Sequence, residues 1–286
     1  MNQLVCIVGP TGTGKTSYAL GFAKKQPSIL ISADSRQVYR GMDIVTGKDH
    51  PKNINIFGID IVNPDKPCSV SVWMESVMPN IEKAWDDGKL PIVVGGTGLY
   101  VKALTEGIPT MSVPIDESLR LELGALSLGE LQSQLRELNP KKFESMNNSD
   151  KQNPRRLVRA IEVTSDSTQI DLAVAGSKSF KIESKLIGLA PPNQDVYKEI
   201  ILKRVLSRLE QGAVEETKSL LKKYDKNLQS MSAIGYKSIV DFLGGKITKD
   251  QLIVNWVEDE IKYAKRQLTW FRKQPVIWYD VGNMEG

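Results

Sequence analysis

The chain has 286 residues, of which 41% are apolar and 25% charged, so it is long enough for one large or two modest domains with a real core. No apolar run approaches the roughly 18 residues of a membrane span, and the net charge of +4 is too small an excess to identify a nucleic-acid partner by itself. A single histidine, His50, argues against histidine-based metal or triad chemistry, and two cysteines, Cys6 and Cys68, suit thiols in a reducing cytosol better than a disulfide framework or zinc site.

The apolar run Leu4-Val-Cys-Ile-Val8 predicts a first strand, reached so early that no signal peptide is expected, which points to the cytoplasm. Gly9-Pro-Thr-Gly-Thr-Gly-Lys-Thr16 follows, and Ser17–Ala23 reads as helix. Strand, G-x-x-x-x-G-K-[ST] loop and helix together form the context of a phosphate-binding loop. Its backbone N–H groups and the helix N-terminus draw phosphate oxygens, Lys15 neutralises charge, and the Thr16 hydroxyl can ligate Mg²⁺. Gly9, Pro10, Thr11, Gly12, Thr13, Gly14, Lys15 and Thr16 are therefore the expected phosphate or diphosphate contacts, with Thr16 the metal ligand.

Ile29–Ile31 predicts the second strand of a βαβ unit and hence a parallel sheet. Asp34 then leaves the carboxyl edge, where open α/β sheets hold ligands, although it equally suits a helix cap completed by Gln37. Residues 54–62 suggest further strand, ended by Pro64 and Pro67, with Asp60 as the best Walker B candidate. Val70 to Asp87 suits a crossover helix and Pro91–Val94 a buried strand. Gly95-Gly-Thr-Gly98 is either a second turn placing Thr97 at the cleft or a tight turn without a ligand; Leu99–Leu104 reads as helix.

After Pro109 and Pro114 the segment Asp116–Asn148 is polar and helical, an inserted piece. Asn153-Pro-Arg-Arg opens a helix that sets Arg155, Arg156 and Arg159 on its early face, either solvated or suited to phosphates. Residues 165–181 read as irregular, and Lys185–Ala190 as the last sheet strand. Asp195–Gln211 places Arg204 and Arg208 one turn apart. Lys249–Arg272 is a long amphipathic helix with Ile253, Val257, Ile261, Ala264, Leu268 and Phe271 as the expected buried stripe. Its Trp256, Tyr263 and Trp270 are expected in the core more than on a base-stacking platform. The fold class is α/β: a P-loop NTPase-like parallel sheet core over 1–110, an inserted helical region over 111–152, and the rest of the core with C-terminal helices over 153–286. On these residues alone, a small-molecule kinase using ATP and an RNA-binding P-loop module both remain open.

Six blocks in order narrow this reading: Gly9–Thr16, Ile31-Ser-Ala-Asp-Ser-Arg-Gln-Val-Tyr-Arg-Gly-Met-Asp43, Val94-Gly-Gly-Thr-Gly-Leu-Tyr100, Pro154-Arg-Arg-Leu-Val-Arg-Ala-Ile-Glu162, Ala233-Ile-Gly-Tyr-Lys237 and Tyr263-Ala-Lys-Arg-Gln-Leu-Thr-Trp-Phe-Arg272. Over nearly its whole length the chain resembles the tRNA dimethylallyltransferase family, bacterial in type because it carries no C-terminal zinc finger. The resemblance implies transfer of a dimethylallyl group from its diphosphate to N6 of the adenosine 3′ of the anticodon, with Mg²⁺ as cofactor and the tRNA anticodon loop as partner. It implies no membrane and a monomer. It makes Asp34, Thr97 and Arg208 the catalytic residues, with Arg208 also on the diphosphate. It assigns tRNA contacts to Asp34, Ser35, Arg36, Gln37, Thr97, Arg120, Arg155, Arg156, Leu157, Val158 and Arg159. Val45-Thr-Gly-Lys48 departs from the family's Gly-Thr-Ala-Lys, and Arg208 stands closer to Gly212 than the family spacing.

Overall fold

A computed structural model describes residues 2–49, 51, 54–166 and 182–280, so His50 and most of the segment expected to be irregular lie outside the described residues. The chain divides into two compact units, Met1–Glu106 with Phe180–Gly286, and Gly107–Ser179.

The first unit begins with β1 (Gln3–Val8), α1 (Lys15–Ala23), β2 (Ser28–Ser32), β3 (Ile56–Phe57), α2 (Val70–Asp86), β4 (Leu90–Gly95) and α3 (Gly98–Thr105). β1 is apolar at every position after Gln3 because both of its faces are covered, as a parallel strand requires. Leu4, Cys6 and Val8 join one core cluster, and Val5 and Ile7 join another with Ala19 of α1. Burial pushes the Cys6 thiol up to about 12, which leaves it inert. The expected strand over 54–62 shrinks to two residues. Gly58 (φ +83°) and Asp60 (φ +54°) turn the chain, and Val62 makes only an isolated bridge to Tyr39. Asp60 is no Walker B residue: its carboxylate accepts a 2.6 Å hydrogen bond from buried Lys48, which also holds Asp43 at 2.6 Å.

The second unit contains α4 (Glu117–Gly124), α5 (Leu128–Leu138), α6 (Pro140–Ser145), α7 (Asn148–Lys151) and α8 (Pro154–Ser165). Its own core gathers Leu123, Leu131, Leu135, Phe143, Leu157 and Ile161. The expected boundary at 152 is therefore moved: the apolar side of α8 packs on α5, which puts the arginine helix inside this unit.

The first unit continues with β5 (Glu183–Ala190), α9 (Gln194–Glu210), α10 (Ala213–Leu221), α11 (Tyr236–Leu243), α12 (Lys249–Phe271) and β6 (Ile277–Asp280). β5 is not the last strand. β6 pairs parallel to it, completing a six-stranded sheet in the order β3-β2-β4-β1-β5-β6. The buried side of α12 is Leu252, Trp256, Val257, Glu260, Ala264, Gln267 and Phe271; of the expected stripe Ile253, Ile261 and Leu268 are only partly buried, and Leu252, Trp256 and two polar residues are buried instead. Trp256 lies in the core, whereas Trp270 is half-exposed. Among the described residues, no helix is long and apolar enough to cross a membrane.

Candidate active site

The carboxyl ends of β1, β2 and β4 bring three loops together, and α9 and α12 close the opposite side. The result is a cleft of about 340 Å³ whose lining includes Gly12, Lys15, Thr16, Asp34, Arg36, Gln37, Gly95, Arg204, Arg208, Glu260, Tyr263 and Gln267. Gly9, Gly12 and Gly14 all take positive φ, which lets the loop wrap a phosphate-sized space before α1 begins. Thr13 turns inward, its hydroxyl donating to the Pro10 carbonyl at 3.0 Å, and Lys15 Nζ donates to the same oxygen at 2.6 Å. Desolvation within the cleft, followed by the nearby Arg204 guanidinium, lowers the Lys15 ammonium to about 8. Thr16 lines the same cleft.

Asp34 stands at the cleft with its Oδ1 accepting the Arg36 N–H at 2.9 Å. Desolvation raises its carboxyl above the ordinary aspartate range, opposed by that N–H and by Lys15. Thr97 is one step back: it does not line the cleft, and its hydroxyl oxygen accepts the Ser35 N–H at 3.0 Å. The Thr97 hydroxyl thus fixes the backbone immediately after Asp34. Burial and the Asp34 charge push the Tyr263 phenol upward, so this cleft-lining hydroxyl stays protonated.

Arg208 and Arg204 both line the cleft. Arg208 is buried and paired with Glu260 at 2.8 Å, while Arg204 has no ion-pair partner among the described residues. Gly47 lies in the Val45–Lys48 stretch that departs from the family pattern. It has φ +64°, and a Cβ there would collide with the Arg208 guanidinium, so the glycine makes room for that side chain.

Gln267 ties the site together. It accepts the Thr11 N–H at 3.0 Å and donates to the Gly96 carbonyl at 3.1 Å, joining the phosphate loop to the turn after β4. A Cβ at Gly96 would overlap its amide, which explains that glycine without a ligand. Tyr197 adds a second tie, its hydroxyl donating to the Thr11 carbonyl at 2.6 Å. Glu260, Gln267 and Tyr263 escaped the sequence reading as site residues, although the block Tyr263–Arg272 held two of them.

The residues expected on tRNA separate into two groups. Asp34, Arg36 and Gln37 line the cleft, and Ser35 lies between them. In the helical unit, Arg155 and Arg156 are exposed, with Arg156 against Asp150. Leu157 is a correction: it is fully buried in that unit's core and cannot touch RNA. Arg120 and Arg159 both engage buried Glu162. Arg120 does so through Nε at 2.8 Å and Nη2 at 2.9 Å, and Arg159 also donates to the Val113 carbonyl at 2.9 Å.

A parallel α/β core with a phosphate loop, cationic arginines and an elevated carboxylate in one cleft defines a P-loop protein built for a phosphate or diphosphate ester. The family models for IPP transferase and isopentenyl transferase match residues 37–274 and 2–59. The tRNA dimethylallyltransferase of Endomicrobium trichonymphae is 37% identical over 96% of this chain and 93% of its own. That of an Exiguobacterium strain is also 37% identical, over 98% and 90%. A crystal structure of a tRNA isopentenylpyrophosphate transferase from Bacillus halodurans superposes with TM-score 0.71 at 35% identity, covering 98% of this chain and 90% of that one. A eukaryotic dimethylallyltransferase captured acting on tRNA shares the fold at TM-score 0.80 and 24% identity, over 98% and 74%. The chain belongs to the IPP transferase family, and the kinase alternative falls with that assignment.

Proposed function

We propose that this protein is a tRNA dimethylallyltransferase that moves the dimethylallyl group from its diphosphate to N6 of the adenosine 3′-adjacent to the anticodon. The observation that carries the reading is one cleft lined by Lys15 of the phosphate loop, by Arg204 and Arg208 of α9, and by Asp34 just after β2. The C–O bond to the diphosphate breaks as the N6–C bond forms, and the N6 proton passes to Asp34. An exocyclic amine is a poor nucleophile, because its lone pair is delocalised into the ring. The chain's contribution is therefore enforced approach and charge placement. Lys15 and Arg208 neutralise charge growing on the departing diphosphate, with Arg204 beside them. Thr97, through the Ser35 N–H, holds Asp34 in place.

Thr16 suits Mg²⁺. Among the described residues no cluster of three acidic, histidine or cysteine side chains offers a complete cage, and Mg²⁺ commonly takes few protein ligands plus phosphate oxygens and water. When bound, the ion supplies further charge neutralisation on the diphosphate. The target base leaves the anticodon loop to enter the cleft, where Asp34, Ser35, Arg36 and Gln37 meet it. In the helical unit the exposed Arg155 and Arg156 hold phosphates. The protein acts as a cytoplasmic monomer. Incubation with dimethylallyl diphosphate, Mg²⁺ and unmodified tRNA, then nucleoside mass analysis, tests the reading. N6-dimethylallyladenosine is the expected product. ATP consumption without a modified nucleoside would overturn it.

A further inference from the structure

The loop 42–49 forms one wall of the cleft through Val45, Thr46, Gly47 and Asp49, yet it contains no regular helix or strand. Turn hydrogen bonds of its own, such as the Lys48 N–H to the Asp43 carbonyl at 2.9 Å, are joined by contacts from outside. Glu216, on α10, sends its carboxylate into three consecutive backbone N–H groups of the loop: Oε2 accepts from Asp43 at 2.8 Å and Ile44 at 2.6 Å, and Oε1 from Val45 at 3.1 Å. The Tyr236 hydroxyl donates to Oε1 at 2.7 Å. Four donors thus meet the four lone-pair sites of one carboxylate, an anion nest filled by the protein's own side chain.

The surroundings make this contact matter for the cleft. α10 follows α9 across Gly212, so a short length of chain carries both Arg208 and Glu216. The Arg208 guanidinium packs against Gly47 in the same loop. Gln37 donates to the Gly47 carbonyl at 3.1 Å from the opposite side. Burial, and then the Glu216 charge, push the Tyr236 phenol upward and keep it a donor. Tyr236 belongs to the block Ala233–Lys237, whose first two residues line the cleft and whose tyrosine otherwise has no role there.

We infer that Glu216 is a positioning residue for the diphosphate site, acting through the backbone of residues 43–45 to hold the loop wall against Arg208. This rests on the transferase reading for its substrate but not for its test. The test measures pyrophosphate binding by calorimetry in the presence of Mg²⁺, beside steady-state prenyl transfer.

Glu216→Ala leaves three N–H donors and a phenol around an acetate-sized gap. It is expected to weaken pyrophosphate binding by about tenfold, from the loss of a charged acceptor. Formate at tens of millimolar should restore most of that affinity while leaving the wild type unchanged, and the KM for dimethylallyl diphosphate should follow it with kcat little altered. Unchanged affinity in Glu216→Ala overturns the inference, as does a loss that formate does not reverse in a variant with native circular dichroism. Should Glu216→Ala not fold, near-isosteric Glu216→Gln decides: its amide turns an NH₂ toward donors, so a several-fold weaker affinity is expected, and wild-type affinity overturns the inference. A wild type that binds pyrophosphate but prenylates no tRNA would sink the transferase reading alone.

Discussion

At the residue scale the cleft sets two ionisations against each other. In the proposed reaction Asp34 must be a carboxylate to take the N6 proton, and desolvation raises its pKa, so activity should fall on the acid side earlier than for an ordinary aspartate. Lys15 must be an ammonium to hold the diphosphate, and burial with Arg204 nearby brings it to about 8, so its charge is lost as pH rises through that value. Because kcat/KM reports the free enzyme, its profile should be a bell with an alkaline limb near 8. Asp34→Asn should abolish the acid limb and lower kcat by roughly 10²–10⁴-fold while leaving tRNA affinity near wild type. An acid limb that persists unmoved in Asp34→Asn would assign it to the substrate and take the proton from Asp34. The same residues show what the sequence made legible. Lys15 and Thr16 are fixed by a contiguous pattern whose strand and helix lie next to it in the chain. Taken by itself, Asp34 was visible only as a residue leaving a strand, equally good as a cap, and its catalytic role came from the family resemblance, because its desolvation is a property of the folded cleft.

At the scale of elements, α12 is the informative case. Periodicity of apolar residues found the helix but rotated its buried side, because Glu260 and Gln267 are buried by what they bond and not by hydrophobicity. A polar side chain facing a cleft leaves the same sequence pattern as one facing water. β6 was missed for a related reason: four residues on a sheet edge, with Ile277 and Tyr279 exposed, show no run of buried apolar positions. Leu157, by contrast, was legible in principle, since it sits on the apolar side of α8 with Ala160 and Ile161. The tie made by Gln267 yields a prediction at this scale. Gly96→Ala should drive a methyl into the Gln267 amide, loosening both the phosphate loop and the turn after β4. A loss of about 1–3 kcal/mol in denaturant unfolding is expected, with a raised KM for the diphosphate. The double variant Gly96→Ala, Gln267→Ala should be scarcely worse than Gln267→Ala alone, since the clash and the tie are one interaction. Additive losses would place the defect elsewhere.

For the molecule as a whole, the question is how a chain with a net charge of only +4 holds a polyanion. Exposed arginines that release counterions contribute to RNA affinity; arginines spent on internal carboxylates contribute to the fold. The helical unit contains both kinds, side by side on α8. Arg155 and Arg156 are exposed, Arg156 beside Asp150, whereas Arg159 joins Arg120 on buried Glu162 and braces the Val113 carbonyl. Burial alone would raise the Glu162 carboxyl, but Arg120, Arg159 and the Asp116 N–H outweigh it and hold it low. A depressed carboxyl contributes stability above its unfolded pKa and loses it as pH falls through the folded value, so this hub should weaken on acidification. Substituting Arg155 and Arg156 together with alanine should therefore reduce tRNA affinity and flatten the slope of log K against log salt by about 1 per residue, with unfolding free energy changed by about 0.5 kcal/mol at most. Arg159→Ala should do the opposite. It strips a hydrogen-bonded guanidinium from a buried carboxylate, so a loss on the order of 2 kcal/mol is expected at neutral pH and a smaller one in acid, with the salt slope intact. Thermal unfolding at two pH values and filter binding across a salt series separate the two sets. A flattened slope in Arg159→Ala at native stability would return that residue to the RNA surface, as the family resemblance first placed it.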